Sequence, residues 1–253
     1  MKKRGQVTIF VIIAIVIIVL GVLAFFLYPK LKISTGFNTE NPELFLQNCV
    51  ENDLENLIET LSLQGGEFNP QGYTIYQDVK IKYICYTSDY FTLGLKQVPF
   101  IKRFVEDEIS VQIKPKVDEC FDDLVLKYQQ KGYEVSSKKG NIQTEILPEQ
   151  TSIDLIGYNL TVSRGENENR FNLFVINLDN NLYELLNIAE HIVSWENEFG
   201  DADTLSIMML KKDIRVNKIL RDDGSKIYII ENKKTKEAFQ FASRSLVFPA
   251  GLF

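Results

Sequence analysis

The pattern of apolar and polar residues divides the chain into one continuous apolar segment near its start and a mixed body. Residues 9–28 read IFVIIAIVIIVLGVLAFFLY, twenty positions without a charged side chain. At about 1.5 Å per residue, a helix of this length crosses roughly 30 Å, the thickness of a bilayer's hydrocarbon core. A helix on the surface of a soluble protein would carry a polar face, and this segment has none. The pattern predicts that residues 1–28 form a short basic stub and a transmembrane helix.

A secretory signal that is removed by cleavage is the alternative interpretation of this segment. Such a signal has an apolar region of about 7–15 residues that ends in a small-residue cleavage site. The apolar run here is longer and ends in FFLYPK at residues 25–30, which is not such a site. We therefore expect the helix to remain on the mature chain.

Basic residues on either side of the helix predict its orientation. Lys2, Lys3 and Arg4 crowd the short N-terminal side, which favours a cytoplasmic N-terminus and an extracytoplasmic body. Lys30 and Lys32 follow the helix and weaken this bias, so the opposite orientation, with a cytosolic body, stays open. The predicted location is the cell membrane, crossed once, and the first expected partner is the lipid bilayer.

Residues 29–40, PKLKISTGFNTE, predict a linker, and the body begins with a helix after it. Asn-Pro-Glu at residues 41–43 combines an N-cap, a proline in the first turn and an acid near the positive end of the helix dipole. The glycine pair at residues 65–66 is typical of a helix end. Apolar residues recur between these signals at helical spacing: Leu46, Val50, Leu54, Leu57, Ile58 and Leu61.

The rest of the body, which extends to residue 253, mixes strands and helices without the regular alternation of a doubly wound fold. A helix from about Phe100 is expected to kink or break at Pro115 and to resume until Gly132. Residues 133–176 predict short strands, residues 180–196 a helix, and Asp223-Gly224 the turn of a hairpin. The predicted fold class is α+β and mainly antiparallel, with a possible sub-boundary near residues 131–133.

The start of the chain resembles a known signal. KKRGQ at residues 2–6, followed by the apolar helix, is similar to the class III signal of archaeal type IV pilin-like proteins. In that family a prepilin peptidase cuts after the glycine, and the apolar helix can pack into a filament core. The resemblance implies a cut between Gly5 and Gln6, with prepilin peptidase and other pilin-like subunits as partners. The body resembles uncharacterised archaeal membrane-anchored proteins, which implies no activity.

Three features depart from the pilin pattern. Pilins often carry Glu five residues past the cut, where this chain has Phe10. The linker with Pro29 and Gly36 interrupts a helix that in pilins often continues into the head. The body is also large for a major pilin. These departures favour a minor or non-polymerising role over that of a main filament subunit.

Three cysteines offer one candidate crosslink. Cys49 and Cys120 each lie on the apolar side of a predicted helix, so in an oxidising compartment they could close a disulfide between the two helices. The alternative is that both are small buried apolar side chains. Cys85 then remains as the third thiol, in a predicted strand.

Other candidate sites receive less support from the sequence. His191 is the only histidine, and without a CxxC pair the chain lacks the ligands of a structural zinc site. Asp201 and Asp203 suggest a calcium loop, but Ser206 and Lys212 stand where such a loop needs glycine and glutamate. Asn159 begins an Asn-Leu-Thr sequon and is a glycosylation candidate. We expect no metal and no cofactor.

Charge limits the class of partner. Without Lys2, Lys3 and Arg4, the chain carries 25 basic against 34 acidic residues, a net charge of −9. Such a body repels phosphate backbones, so we expect no nucleic-acid partner. The sequence favours a non-enzymatic, membrane-anchored surface protein of pilin-like type, acting as a minor filament or surface-assembly component. A tethered binding or adhesion module that never polymerises, and an extracytoplasmic enzyme without recognisable motifs, remain as alternatives.

Overall fold

The structure, a computed structural model, describes residues 41–248, which belong to one compact unit. Its helices are α1 (Pro42–Leu63), α2 (Ile101–Gln130), α3 (Leu182–Phe199) and α4 (Thr204–Leu210). Its strands are β1 (Tyr73–Tyr76), β2 (Val79–Tyr86), β3 (Leu95–Lys96), β4 (Glu134–Lys138), β5 (Asn141–Leu147), β6 (Gln150–Ile156), β7 (Asn159–Arg164), β8 (Asn167–Phe171), β9 (Val175–Asp179), β10 (Ile214–Leu220), β11 (Lys226–Asn232) and β12 (Ala238–Arg244). The predicted α+β class with mainly antiparallel pairing is confirmed.

The predicted transmembrane helix and the linker lie outside the described residues. Within residues 41–248, no helix combines the length and the hydropathy that crossing a membrane requires. The first described element is the helix predicted from residues 41–43. Asn41 caps that helix through its side-chain oxygen, which accepts from the Leu44 N–H at 2.9 Å.

A six-stranded sheet forms one layer of the body. Its strands follow the order β1-β2-β12-β11-β10, and β3 also pairs with β2. Among the described strand pairs of this sheet, β2 and β12 run parallel and the others run antiparallel. The predicted hairpin is confirmed. Strands β10 and β11 pair antiparallel, and Leu220 at the end of β10 lies opposite Lys226 at the start of β11. In its turn Gly224 has φ +80°, and a Cβ there would lie 2.2 Å from a Val247 methyl group, so a larger residue would not fit.

Two three-stranded sheets arise from one long, bent hairpin. One arm contains β4 and then β5, and the other contains β6 and then β7. Strand β4 pairs with β7 and β5 pairs with β6, while β8 adds to β7 and β9 adds to β6 as outer strands. The bend occurs at Gly140, where a Cβ would lie 2.0 Å from the carbonyl oxygen of Ile156. The two arms approach so closely there that only glycine fits.

Side chains of the long helices cover both outer edges of the β5-β6-β9 sheet. On one edge, Gln47 of α1 accepts from the Asn177 N–H at 2.9 Å and donates to the Asn177 carbonyl at 2.7 Å. On the other edge, Glu106 of α2 accepts from the Ile146 N–H at 2.9 Å. These side chains satisfy backbone groups that a further strand would otherwise pair, so the sheet ends at three strands.

Of the kink or break predicted at Pro115, the break is wrong: α2 runs as one helix of 30 residues through that position. Proline removes the backbone bond to residue 111, four positions earlier. Val111 is exposed, so this side of the helix faces solvent rather than the core. Packing holds the helix together on both sides of the proline, since Lys114 donates to the Gly140 carbonyl at 2.9 Å and Cys120 is fixed by a covalent bond to α1.

Candidate functional site

The structure brings the two candidate crosslinking cysteines together. Cys49 of α1 and Cys120 of α2 form a disulfide, with their Cα atoms 6.0 Å apart and a sequence separation of 71. The bond joins the two helices whose side chains cover the edges of the β5-β6-β9 sheet. Cys85 is the free and buried thiol among the described cysteines.

The other predicted site residues remain separate from this bond. Asn159 is exposed at the first position of β7, the central strand of its sheet, and its side-chain amide donates to the Gly157 carbonyl at 3.1 Å. The predicted processing residues, Gly5 and Gln6, lie outside the described residues. Within residues 41–248, no hydrogen bond or ion pair joins Asn159 to the disulfide.

The residues that suggested metal or catalytic chemistry have structural partners. Asp203 caps α4 by accepting from the Ser206 N–H, and the Ser206 hydroxyl also bonds to it and lowers the pKa of its carboxyl group. His191 is exposed on α3, with its ring centre 5.5 Å from that of Trp195. Across residues 41–248, no group of three or more His, Cys, Asp or Glu side chains could hold a metal ion.

Sequence patterns missed the densest cluster of polar side chains, which lies in the core around Glu196. Glu196 is fully buried, and both of its carboxylate oxygens accept from the Lys226 ammonium at 3.0 Å. Tyr228 donates a hydrogen bond to the same carboxylate, as does the Ser243 hydroxyl at 2.8 Å. Lys226 also donates to the Gly200 carbonyl. Donors on β11 and β12 thus satisfy both oxygens of this carboxylate, which projects from α3.

A second carboxylate extends the cluster to the surface. Asp201 lies 3.3 Å from the Lys226 ammonium and accepts from Lys218 at 2.9 Å. Partial burial acts to raise the pKa of Asp201, but the hydrogen bond from Lys218 and the charge of Lys226 outweigh it, so the net shift is downward. Asp201 therefore stays ionised near neutral pH. Together with Glu196, it balances the positive charge of Lys226.

The protonation of neighbouring groups argues against nucleophilic chemistry in this cluster. Burial raises the pKa of the Cys85 thiol to about 11, assisted by the charge of Glu196 and opposed by a hydrogen bond from Ser243. Burial and the Glu196 charge also raise the pKa of Tyr228 far above its usual range. Nucleophilic attack by cysteine requires the thiolate, which Cys85 does not form at neutral pH. The arrangement fits a buried ion pair that positions α3 against the six-stranded sheet.

One sequence signal could have indicated this cluster. Glu196 follows Ile192 and Val193 at positions where a helix repeats its buried face, so a charged residue stands among apolar ones. A buried carboxylate needs a cationic or hydrogen-bonding partner. The partner, Lys226, opens the apolar strand KIYII thirty residues later, and local periodicity cannot join the two.

A different surface, formed by α3 and α4, contains two open grooves. One groove, of about 520 Å³, is lined by Pro148, Glu149, Asn181, Tyr183, Glu184, Asn187, Ile188, His191, Ile207, Leu210 and Lys211. The other, of about 800 Å³, is lined by Trp195, Phe199, Asp201, Ala202, Asp203, Thr204, Leu205, Ser206, Leu210 and Lys218. Leu210 borders both grooves. We call these residues, together with the adjacent Met209, the α3–α4 surface.

Comparison with known proteins finds no relative. No protein-family model matches the chain, no curated protein matches it, and no solved structure matches it. The resemblance of residues 2–28 to a class III signal therefore stays a prediction.

Proposed function

We propose that this protein is a membrane-anchored surface protein of pilin-like type. Residues 9–28 hold it in the membrane, a peptidase cuts after Gly5, and the acidic body lies outside the cytoplasm. The protein acts as a minor component of a filament or of another surface assembly. Support for the anchor comes from the length of the uncharged apolar run, and support for the cut comes from the position of glycine directly after three basic residues.

The single observation that carries the proposal is the disulfide between Cys49 and Cys120. Disulfides persist in oxidising compartments and are rare in the cytosol of most organisms. A disulfide inside the body therefore favours the orientation that the N-terminal basic residues also favour, with the body outside. The two arguments are independent, because one uses charge before the helix and the other a covalent bond more than twenty residues after it.

The described side chains favour a binding or structural role over catalysis. Glu196 and Cys85, the groups with the most unusual surroundings, are fully buried and are held by partners within the core. The exposed His191 lies on the α3–α4 surface beside an aromatic ring, and no described nucleophile forms a hydrogen bond with it. Catalytic groups need mutual geometry and an approach for the substrate, and these residues do not combine the two.

The N-terminus of the mature chain tests the processing step. Protein isolated from native membranes is expected to begin at Gln6 when sequenced by Edman chemistry or mass spectrometry. The change Gly5→Val places a branched side chain at the cut and is expected to leave the chain beginning at Met1 or Lys2. Gly36→Val, the same change in the linker, is the control and is expected to leave processing intact. Wild-type protein that still begins at Met1 or Lys2 would refute the pilin-like assignment.

A second candidate function is a tethered binding module that does not polymerise. The exposed apolar residues of the α3–α4 surface favour it, because apolar patches on a monomer often mark interaction sites. Imaging of intact cells with an antibody to the body separates the two candidates. Filaments would support the assembly component, whereas an even coat over the cell would support the binding module.

A further inference from the structure

We propose that the α3–α4 surface binds a cationic amphipathic helix of a partner protein. This inference deepens the second candidate function and rests on the binding role proposed there. It uses only described residues of the body, so it does not depend on cleavage after Gly5.

The short helix α4 presents most of its apolar side chains to solvent. Ile207 is buried beneath it, whereas Leu205, Met209 and Leu210 are 68%, 78% and 84% exposed. A helix in a monomer normally turns such residues toward the core. Three large apolar residues on the outside of one seven-residue helix indicate a surface that another molecule covers.

Helix α3 continues this apolar surface in a line. Ile188, His191, Trp195 and Phe199 follow each other at intervals of three and four, so they share one side of the helix. The α3 residues that line the two grooves extend from Tyr183 to Phe199. At about 1.5 Å per residue, this stretch of α3 is roughly 24 Å long, the length of a helix of about sixteen residues.

The elongated shape favours a helix as the bound segment. Side chains at intervals of three and four form ridges, and the ridges of a second helix fit the grooves between them. Recognition of an amphipathic helix by an apolar groove uses such a repeat of anchors. Met209 adds an adaptable side chain, which suits a surface that accepts apolar anchors from a partner.

The charges of the surface select the sign of the partner. The groove linings contain four carboxylates, Glu149, Glu184, Asp201 and Asp203, and two lysines, Lys211 and Lys218. Lys211 bonds to Glu184 at 2.9 Å and Lys218 bonds to Asp201 at 2.9 Å. Glu149 and Asp203 therefore give the lining an excess of negative charge, within a chain of net charge −6.

Charge complementarity distinguishes a basic helix from two other partners that could cover an exposed apolar surface. A basic helix would be attracted both by the groove lining and by the acidic body around it. An anionic lipid surface would be repelled by the same charges. A second copy of this chain would bring like charges together at a symmetric contact, which costs affinity. We therefore assign the surface to a basic helix.

The protein contains one tryptophan, Trp195, and it lines the larger groove, so its fluorescence reports directly on this surface. The experiment uses the full chain in phosphatidylcholine bicelles. The probe is a sixteen-residue peptide of leucine and lysine, with leucine at helical intervals of three and four. We expect a saturable change of the Trp195 emission, with half-saturation at micromolar peptide and weaker binding as salt rises.

Matched variants and peptides make this test specific. Leu210→Ser is expected to weaken binding at least tenfold, whereas Leu173→Ser, at an exposed leucine of the β8–β9 connection, is expected to leave it unchanged. Both leucines are exposed, so both variants are expected to fold, and equal urea midpoints check this. A peptide with glutamate in place of lysine, and a leucine–lysine peptide of scrambled order, are both expected to bind at least tenfold more weakly.

Four results would overturn the proposal. These are the absence of a saturable change, equal binding of the glutamate peptide, equal binding by Leu210→Ser, and a concentration-dependent dimer that Leu210→Ser disrupts. The last result would assign the surface to a second copy of the chain. None of them bears on the mature N-terminus, so failure here is distinguishable from failure of the anchored, processed role.

Discussion

The Glu196 side chain shows how one buried charge positions a helix on a sheet. Its carboxylate lies on α3 and receives hydrogen bonds from Lys226, Tyr228 and Ser243 on the strands below. Moving a charge out of water is costly, and the attraction to a partner in the core offsets that cost only when the geometry is good. All described buried side-chain polar atoms here have a hydrogen-bond partner. The cluster therefore specifies one arrangement of α3, although it adds little net stability.

This account predicts a strong asymmetry between single and double variants. Glu196→Leu is expected to lower the free energy of unfolding by about 3–5 kcal/mol, because it leaves Lys226 buried without its main counterion. Combining it with Lys226→Met is expected to recover part of that loss. Urea unfolding followed by circular dichroism measures both. Glu198→Leu, at an exposed position of the same helix, is the control and is expected to change stability by less than about 0.5 kcal/mol. A double variant less stable than the single one would contradict the account.

At the scale of elements, helices α1 and α2 act as a pair that frames the β5-β6-β9 sheet. Gln47 and Glu106 bond to its two edges, and the Cys49–Cys120 disulfide fixes the spacing of the helices. A sheet edge left open offers its backbone groups to other chains. The crosslink therefore does more than join two helices, because it also holds the side chains that close the sheet.

The disulfide has a predicted effect on stability. In the chain-entropy model, a loop closed by a bond across 71 residues contributes about 4 kcal/mol by restricting the unfolded chain. Dithiothreitol is expected to lower the urea midpoint of the wild-type protein and to leave the Cys49→Ala/Cys120→Ala variant unchanged. Mass spectrometry of unreduced protein from cells checks the bond itself. Recovery of both cysteines in freely alkylated form would contradict it.

The sequence predicts those elements whose signals are local. The cap at Asn41, the glycine pair after α1 and the turn at Asp223-Gly224 each act within a few residues, so the pattern locates them. Contacts distant in sequence were missed. The continuity of α2 through Pro115 depends on packing against α1 and β5, and the partner of Glu196 lies thirty residues away. Local propensity cannot weigh such contacts.

The same limit applies to the candidate sites. The sequence placed Cys49 and Cys120 on the apolar sides of two helices, which was enough to name them as a pair. It gave no indication of the α3–α4 surface, because the line from Ile188 to Phe199 has the same periodicity as a buried face. Only the structure shows that the exposed Leu205 and Leu210 of α4 line the same groove as Trp195 and Phe199.

At the scale of the whole molecule, an acidic, disulfide-bonded body follows an apolar N-terminal segment in sequence. The proposed function requires that the body lie outside the cytoplasm. Lys234 and Lys236, in the β11–β12 turn, have side chains that are 72% and 70% exposed, so they are accessible to a lysine reagent wherever the body is reachable. Their labelling therefore reports which side of the membrane the body occupies.

The most direct test treats intact cells with a membrane-impermeant amine-reactive ester and maps modified lysines by mass spectrometry. The account predicts that Lys234 and Lys236 are modified in intact cells to the same extent as in permeabilised ones. A cytosolic protein from the same cells is the control and is expected to be modified only after permeabilisation. Modification of Lys234 and Lys236 only after permeabilisation would place the body in the cytosol and contradict the account.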